Sequence, residues 1–348
     1  MIWNAWLRMD QRERILLSMK FKCFCVIVQL SICLVALSSA SAQSTKVIIG
    51  YANFSPTYAP VWVAKEMGFF DRHNLNADII FIRGGAMATQ ALVGRSIDFM
   101  VAGGVAAVEA TLSGAGIVII AVPSNRMDQV LVAKKEISQP VQLKGKKIAV
   151  NSLVGSAILA IKIMVQALGL NPEKDVTYIT SGDPATRVAA MQSGLVDATG
   201  LPPPFTLTAK RLGFNLFDNI PVLDNLEYPS ASLIVRQESV RKDPLTIEKV
   251  TRSIVEAVYF FKTRKTESKQ ILQKYLRLQN PEELEEAYVL LAARFMDKPY
   301  PTIQSVKTIL DWSRHPKAKA ADPAQFVAPQ FVEKLDKDGF LTAVSKGK

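Results

Sequence analysis

Beyond Cys33 the chain contains no cysteine, because the three it has are Cys23, Cys25 and Cys33. Disulfides, thiol catalysis and thiolate metal sites are therefore excluded from everything downstream. Histidine is nearly as scarce. Only His73 and His315 occur, too few for a histidine-built metal centre. The patterns G-x-S-x-G, G-x-x-x-x-G-K-[ST] and H-E-x-x-H are also missing. No catalytic residue, metal or cofactor is expected. The charge leans to one sign, +11, yet the basic residues are scattered, with no arginine-rich arm and no basic–aromatic stripe. Nucleic acid is not an expected partner. Such a surface keeps a protein soluble and modestly attracts small anions.

Long hydrophobic runs are lacking too. Residues 23–37 read CFCVIVQLSICLVAL, interrupted by Gln29 and Ser31. That is shorter than the roughly 20 apolar residues a spanning helix needs. Lys20 and Lys22 precede the run and Ala40-Ser41-Ala42 follows it. A basic segment, a short apolar core and an A-x-A site describe a secretory signal peptide. Residues 1–42 are read as that signal, cleaved after Ala42 to leave a periplasmic chain starting at Gln43. Met19 is an alternative start. Ile32 before Cys33 argues against lipidation.

What is present is alternation. Strand patterns at 47–50, 78–82, 97–102, 117–122, 129–133, 147–150, 176–179, 196–199 and 232–235 are interleaved with helical patterns. The helical patterns fall at 59–67, 86–93, 105–112, 156–168, 185–192 and 205–212. Gly68, Gly94, Gly114, Gly169, Gly194 and Gly213 follow these helices, where a left-handed residue is expected. Strands alternating with helices imply crossovers and a largely parallel sheet. The unit occurs twice. Residues 91–98 (ALVGRSID) align without gaps on 190–197 (AMQSGLVD), which predicts two similar lobes. After Arg236, Ile247, Val250, Ile254, Val258 and Phe261 recur at helical spacing. Further helices are expected at 281–295, 303–314 and 323–338, packing on the lobe that holds the first strand.

Ligands of open α/β sheets bind beyond the carboxyl ends of the strands. Helix N-termini there favour anionic or strongly polar groups. The loops in that position are 53–58 (NFSPTY), 83–86 (RGGA), 102–105 (AGGV), 151–156 (NSLVGS), 181–184 (SGDP) and 201–204 (LPPP). Any one of them could be an ordinary βα turn. Their convergence from two lobes defines the candidate cleft.

Several stretches carry a resemblance. They are Tyr58-Ala59-Pro60-Val61-Trp62-Val63-Ala64-Lys65-Glu66-Met67-Gly68-Phe69-Phe70, Arg83-Gly84-Gly85, Leu143-Lys144-Gly145-Lys146-Lys147-Ile148-Ala149-Val150, Gly182-Asp183-Pro184 and Lys298-Pro299-Tyr300-Pro301-Thr302. The chain resembles the periplasmic substrate-binding proteins of the nitrate/sulfonate/taurine ABC importers, a family that also holds thiamin-precursor binders and THI5-like proteins. That resemblance implies a type II periplasmic-binding-protein fold, α/β, with two lobes around a ligand cleft and a helical C-terminal tail. Lobe I would comprise residues 43–131 and 234–348, and lobe II residues 132–233, with crossings near 129–135 and 229–237.

The resemblance also implies a monomer that takes a small, anionic ligand and passes it to a membrane permease. Carried over, Asn53, Tyr58, Gly85, Gly104, Asn151, Ser152, Ser156 and Asp183 would line the cleft, with Asp183 doubling as a helix cap. Arg95 departs from the family pattern, which often has glycine there, and Gly94 would serve as the cap instead. A pyrimidine-precursor enzyme on the same scaffold is the alternative, disfavoured by the missing cysteines. A binding protein serving a membrane sensor is the other.

Overall fold

The computed structural model describes residues 44–347 together with Asp10. The expected signal at 1–42 lies, Asp10 apart, outside the described residues. The strands are β1 (Thr45–Tyr51), β2 (Leu75–Phe81), β3 (Phe99–Ala102), β4 (Ile117–Ser124), β5 (Val130–Ala133), β6 (Lys146–Val150), β7 (Val176–Thr180), β8 (Ala198–Leu201), β9 (Asn215–Phe217) and β10 (Ala231–Arg236). The helices begin with α1 (Ala59–Glu66), α2 (Phe69–Arg72), α3 (Gly85–Val93), α4 (Gly104–Leu112), α5 (Ser156–Ala167), α6 (Pro184–Gln192) and α7 (Phe205–Arg211). The tail adds α8 (Gln237–Lys242), α9 (Pro244–Thr263), α10 (Lys265–Leu276), α11 (Pro281–Arg294), α12 (Ile303–Trp312), α13 (Gln330–Lys337) and α14 (Phe340–Ser345).

Two five-stranded sheets result, in the orders β2-β1-β3-β10-β4 and β7-β6-β8-β5-β9. The orders are equivalent. In each, three parallel strands are followed by one antiparallel strand, β10 in the first sheet and β5 in the second. Every residue of β4 is buried, as expected of an apolar run covered on both faces. The chain leaves the first sheet after Ser124, enters the second at Val130, and returns between Phe217 and Ala231.

The repeated segment has a structural cause. Asp98 accepts from Ile48 N at 2.9 Å, and Asp197 accepts from Lys147 N at 3.0 Å. Each carboxylate fastens the strand entry beside it. A cation beside the antiparallel strand pairs with each: Arg236 with Asp98 at 3.5 Å and Lys134 with Asp197 at 3.2 Å. The matching aspartates are struts of the two sheets.

One cap differs from the sequence expectation. Gly68, Gly114, Gly169, Gly194 and Gly213 take positive φ, but Gly94 does not. Its φ is −75°, and Arg95 is the left-handed residue at 63°. The gapless alignment pairs Arg95 with Gly194, so the backbone keeps its shape while the side chain changes. Arg95 turns outward to Glu238 at 2.7 Å.

The tail helices pack largely around the first sheet. The α9 stripe of Ile247, Val250, Ile254, Val258 and Phe261 is buried against the first sheet's core. In contrast, Val306, Ile309 and Leu310 of α12 share a core with Leu131, Ile148 and Ile158. Val105, Val108 and Leu112 of α4 join them. Helix α12 thus lies against α4 at the edge of that shared core. The helix expected at 323–338 is broken. Val327 bridges Ile119, and Ala328 N donates to Ile119 O at 2.8 Å, which consumes the amide a helix would need. Pro329 disfavours helical geometry at the residue before it.

Candidate functional site

Parallel β1–β3 and β6–β8 end on the same side of their sheets, where antiparallel β10 and β5 begin. Their loops therefore meet between the lobes. Gly103, ahead of α4, packs against Ser156, the first residue of α5; a β-carbon at Gly103 would stand 2.6 Å from Ser156 Cβ. The Tyr228 hydroxyl donates to Ser156 O. The two lobes touch along this line.

The sequence-selected residues divide by exposure into an inner floor and an outer rim of the candidate cleft. Tyr58 and Gly104 are buried, and half-buried Ser156 meets Gly103 beside them. Tyr58 is buried, its hydroxyl hydrogen-bonded to the Gly103 backbone, and burial pushes its pKa up, reinforced by Asp128. Gly104 N donates to Pro229 O at 2.8 Å, so its amide is already engaged. Asn53 and Asn151 are exposed at the rim, with Gly85 and Ser152 half-buried. Ser152 Oγ accepts from Val154 N at 3.3 Å, a local turn. Exposed Phe54, Leu153 and Val154 in the same two loops give the rim an apolar character.

Asp183 caps α6, accepting from Thr186 N at 2.8 Å. That amide, foremost, holds its carboxyl below the usual range, and Arg187 and Arg83 add to the effect. A carboxylate with a lowered pKa contributes stability above the ordinary Asp range and loses it as pH falls through the lowered value. Asp183→Ala is expected to cost about 1 kcal/mol at neutral pH, and Asp183→Asn, which can still cap, much less. Melting curves from pH 7 to pH 2 check this. The gap between wild type and Asp183→Ala should close in acid, and a gap that persists there would mean that the charge does not support the cap.

Sequence reasoning missed the groups that bind the floor together. Asp128 accepts from Thr57 Oγ1 at 2.7 Å and Ser55 Oγ at 3.2 Å, tying the inter-lobe passage to the first loop. Arg294 donates to Met127 O at 2.9 Å. A second cross-link lies farther out. Thr206 and Thr208 of α7 donate to Glu286 at 3.2 Å and Glu283 at 2.9 Å of α11, and Arg211 pairs with Glu282. Burial pushes the Glu286 carboxyl up. None of these contacts has a short-range sequence signal, since each joins residues 71 or more apart. Among the described residues, no group of three or more His, Cys, Asp or Glu side chains could hold a metal.

The two-lobed arrangement with a cleft at the strand ends is the type II periplasmic-binding-protein fold. The chain belongs to the NMT1-like family, whose model matches residues 40–276. It is 28% identical, over 69% of its own length and 75% of the relative's, to a Brucella abortus protein whose name describes binding but gives no ligand. Among solved structures it is similar to the periplasmic aliphatic sulphonate binding protein SsuA of Escherichia coli, with TM-score 0.67 and 20% identity over 83% of this chain and 99% of that one. The periplasmic nitrate-binding protein NrtA of Synechocystis is similar at TM-score 0.66 and 16% identity, over 85% and 89%. At these identities the two structures establish the shared fold.

Proposed function

We propose that this protein is the extracytoplasmic ligand-binding component of an ABC importer, capturing a small anion that also carries an apolar part. The observation that carries the reading is the contact of Gly103 with Ser156, which brings helix starts of both lobes to one line. The ligand lies between the lobes, and closure shifts because it touches both. The closed monomer then docks on a permease. Export after removal of residues 1–42 places the protein in the periplasm. The lack of cysteine beyond Cys33 and of the G-x-S-x-G and H-E-x-x-H patterns supports a receptor over an enzyme.

The test uses the mature chain from Gln43 with a panel of nitrate, alkyl and aryl sulfonates and aromatic carboxylates. At least one compound is expected to raise the melting temperature and reduce the radius of gyration in small-angle scattering. It should be recovered unchanged. Chemical turnover of a bound compound would overturn the reading, and so would a panel that leaves both observables unmoved.

A further inference from the structure

The cleft end of the second lobe holds a buried cation with no carboxylate in contact. Arg187 stands in the first turns of α6, four residues past its cap Asp183, and is 3% exposed. Its Nη1 donates to Gly182 O at 3.1 Å and its Nη2 to Gly200 O at 3.0 Å. Nε is buried and has no hydrogen-bond partner. Both acceptors mark the cleft end of this sheet: Gly182 lies in the loop after β7, and Gly200 next to the last residue of β8. The pairing of β6 with β8 stops at Ala149–Thr199. The guanidinium sits at that end, held by the Gly182 and Gly200 carbonyls.

A buried guanidinium is costly unless it is paired and fully hydrogen-bonded. Two backbone carbonyls offset only part of that cost. Burial accordingly lowers the Arg187 pKa to about 10, while Asp183 acts on it the other way; it remains a cation at neutral pH. Asp183 already accepts from the Thr186 amide. Arg83, in the loop after β2 on the other lobe, also acts on Asp183. Both arginines thus favour the charged form of the Asp183 carboxylate.

We infer that Arg187 is the specificity-determining residue of the cleft, reading the negative charge of a carboxylate or sulfonate. The ligand's anionic oxygen takes the unpartnered Nε–H, which supplies the contact the buried cation lacks. Planar guanidinium suits such oxyanions better than a point charge does. The inference rests on the binding-protein reading and narrows it to organic acids over neutral compounds of the same shape.

The test pairs acids with amides: benzenesulfonate with benzenesulfonamide, benzoate with benzamide, and hexanoate with hexanamide, titrated calorimetrically into the mature protein. Wild type should prefer an acid over its amide by tenfold or more. Arg187→Gln keeps donors and removes the charge, so it should lose at least tenfold for that acid and change less than threefold for the amide. Arg187→Lys should recover part of the preference, because it restores charge without the fork. An Arg187→Gln protein that folds and keeps the acid preference overturns the inference. So does a wild type that binds amides as tightly as acids, and that result leaves the binding-protein reading standing. No binding of either kind overturns both.

Discussion

Gly103→Ala is expected to hold the lobes apart and weaken ligand capture by roughly ten- to a hundredfold. The backbone at Gly103, φ −66° and ψ 142°, suits any residue, so conformational strain plays no part. The added methyl would meet Ser156 Cβ at 2.6 Å, a separation at which one lobe must move. Overpacking of this kind costs about 1–3 kcal/mol, and each 1.4 kcal/mol is a factor of ten in affinity. Under the proposed hinge closure the cost falls on the closed arrangement, since Gly103 follows β3 of one sheet and Ser156 follows β6 of the other. Calorimetry with whichever ligand the panel identifies reads the loss. Scattering should report a larger radius of gyration with ligand than wild type gives. The double variant Gly103→Ala with Ser156→Gly removes the clash and should recover most of the affinity. A single variant that binds normally would mean that this contact is not part of closure.

Phe261→Ala is expected to cost about 3–5 kcal/mol of stability, the usual range for deleting a fully buried aromatic ring. Phe261 is 0% exposed. Its ring lies 5.3 Å from Tyr288 and 5.0 Å from Phe295, centroid to centroid, so one side chain joins α9 to α11 and the segment after it. The neighbours are themselves buried aromatics and cannot easily collapse into the space. Urea unfolding monitored by circular dichroism measures the loss at constant slope. A change below about 1 kcal/mol would show that the tail packs loosely enough to close the cavity.

The alternating pattern was legible because each strand is short, apolar and bounded by turn residues. Only β9 escaped, three half-buried residues too few to set up an alternating pattern. The left-handed glycines were legible wherever a helix ended in one. Arg95 was not, because its geometry is inherited from the equivalent position of the other lobe and not from its own side chain. Among the tail helices, α10 was missed because only Ser268, Ile271 and Leu272 of its residues are buried, which leaves too thin a stripe to read.

The sequence alone determined the fold class, since periodicity and helix punctuation are local properties written in neighbouring residues. It also determined what chemistry is absent downstream of Cys33, because a missing side chain cannot be supplied by folding. The tertiary structure decided which loop residues are spent on the fold. Gly104 gives its amide to Pro229 and Tyr58 is sealed in the floor, whereas Asn53 and Asn151 remain at the rim. Folding also decided the standing of Arg187. In sequence it is one more arginine on the polar side of a helix. Only the meeting of the β7 and β8 carboxyl ends around it, through the Gly182 and Gly200 carbonyls, takes that charge out of water. Long-range packing fixes such environments, and a local pattern carries no record of them.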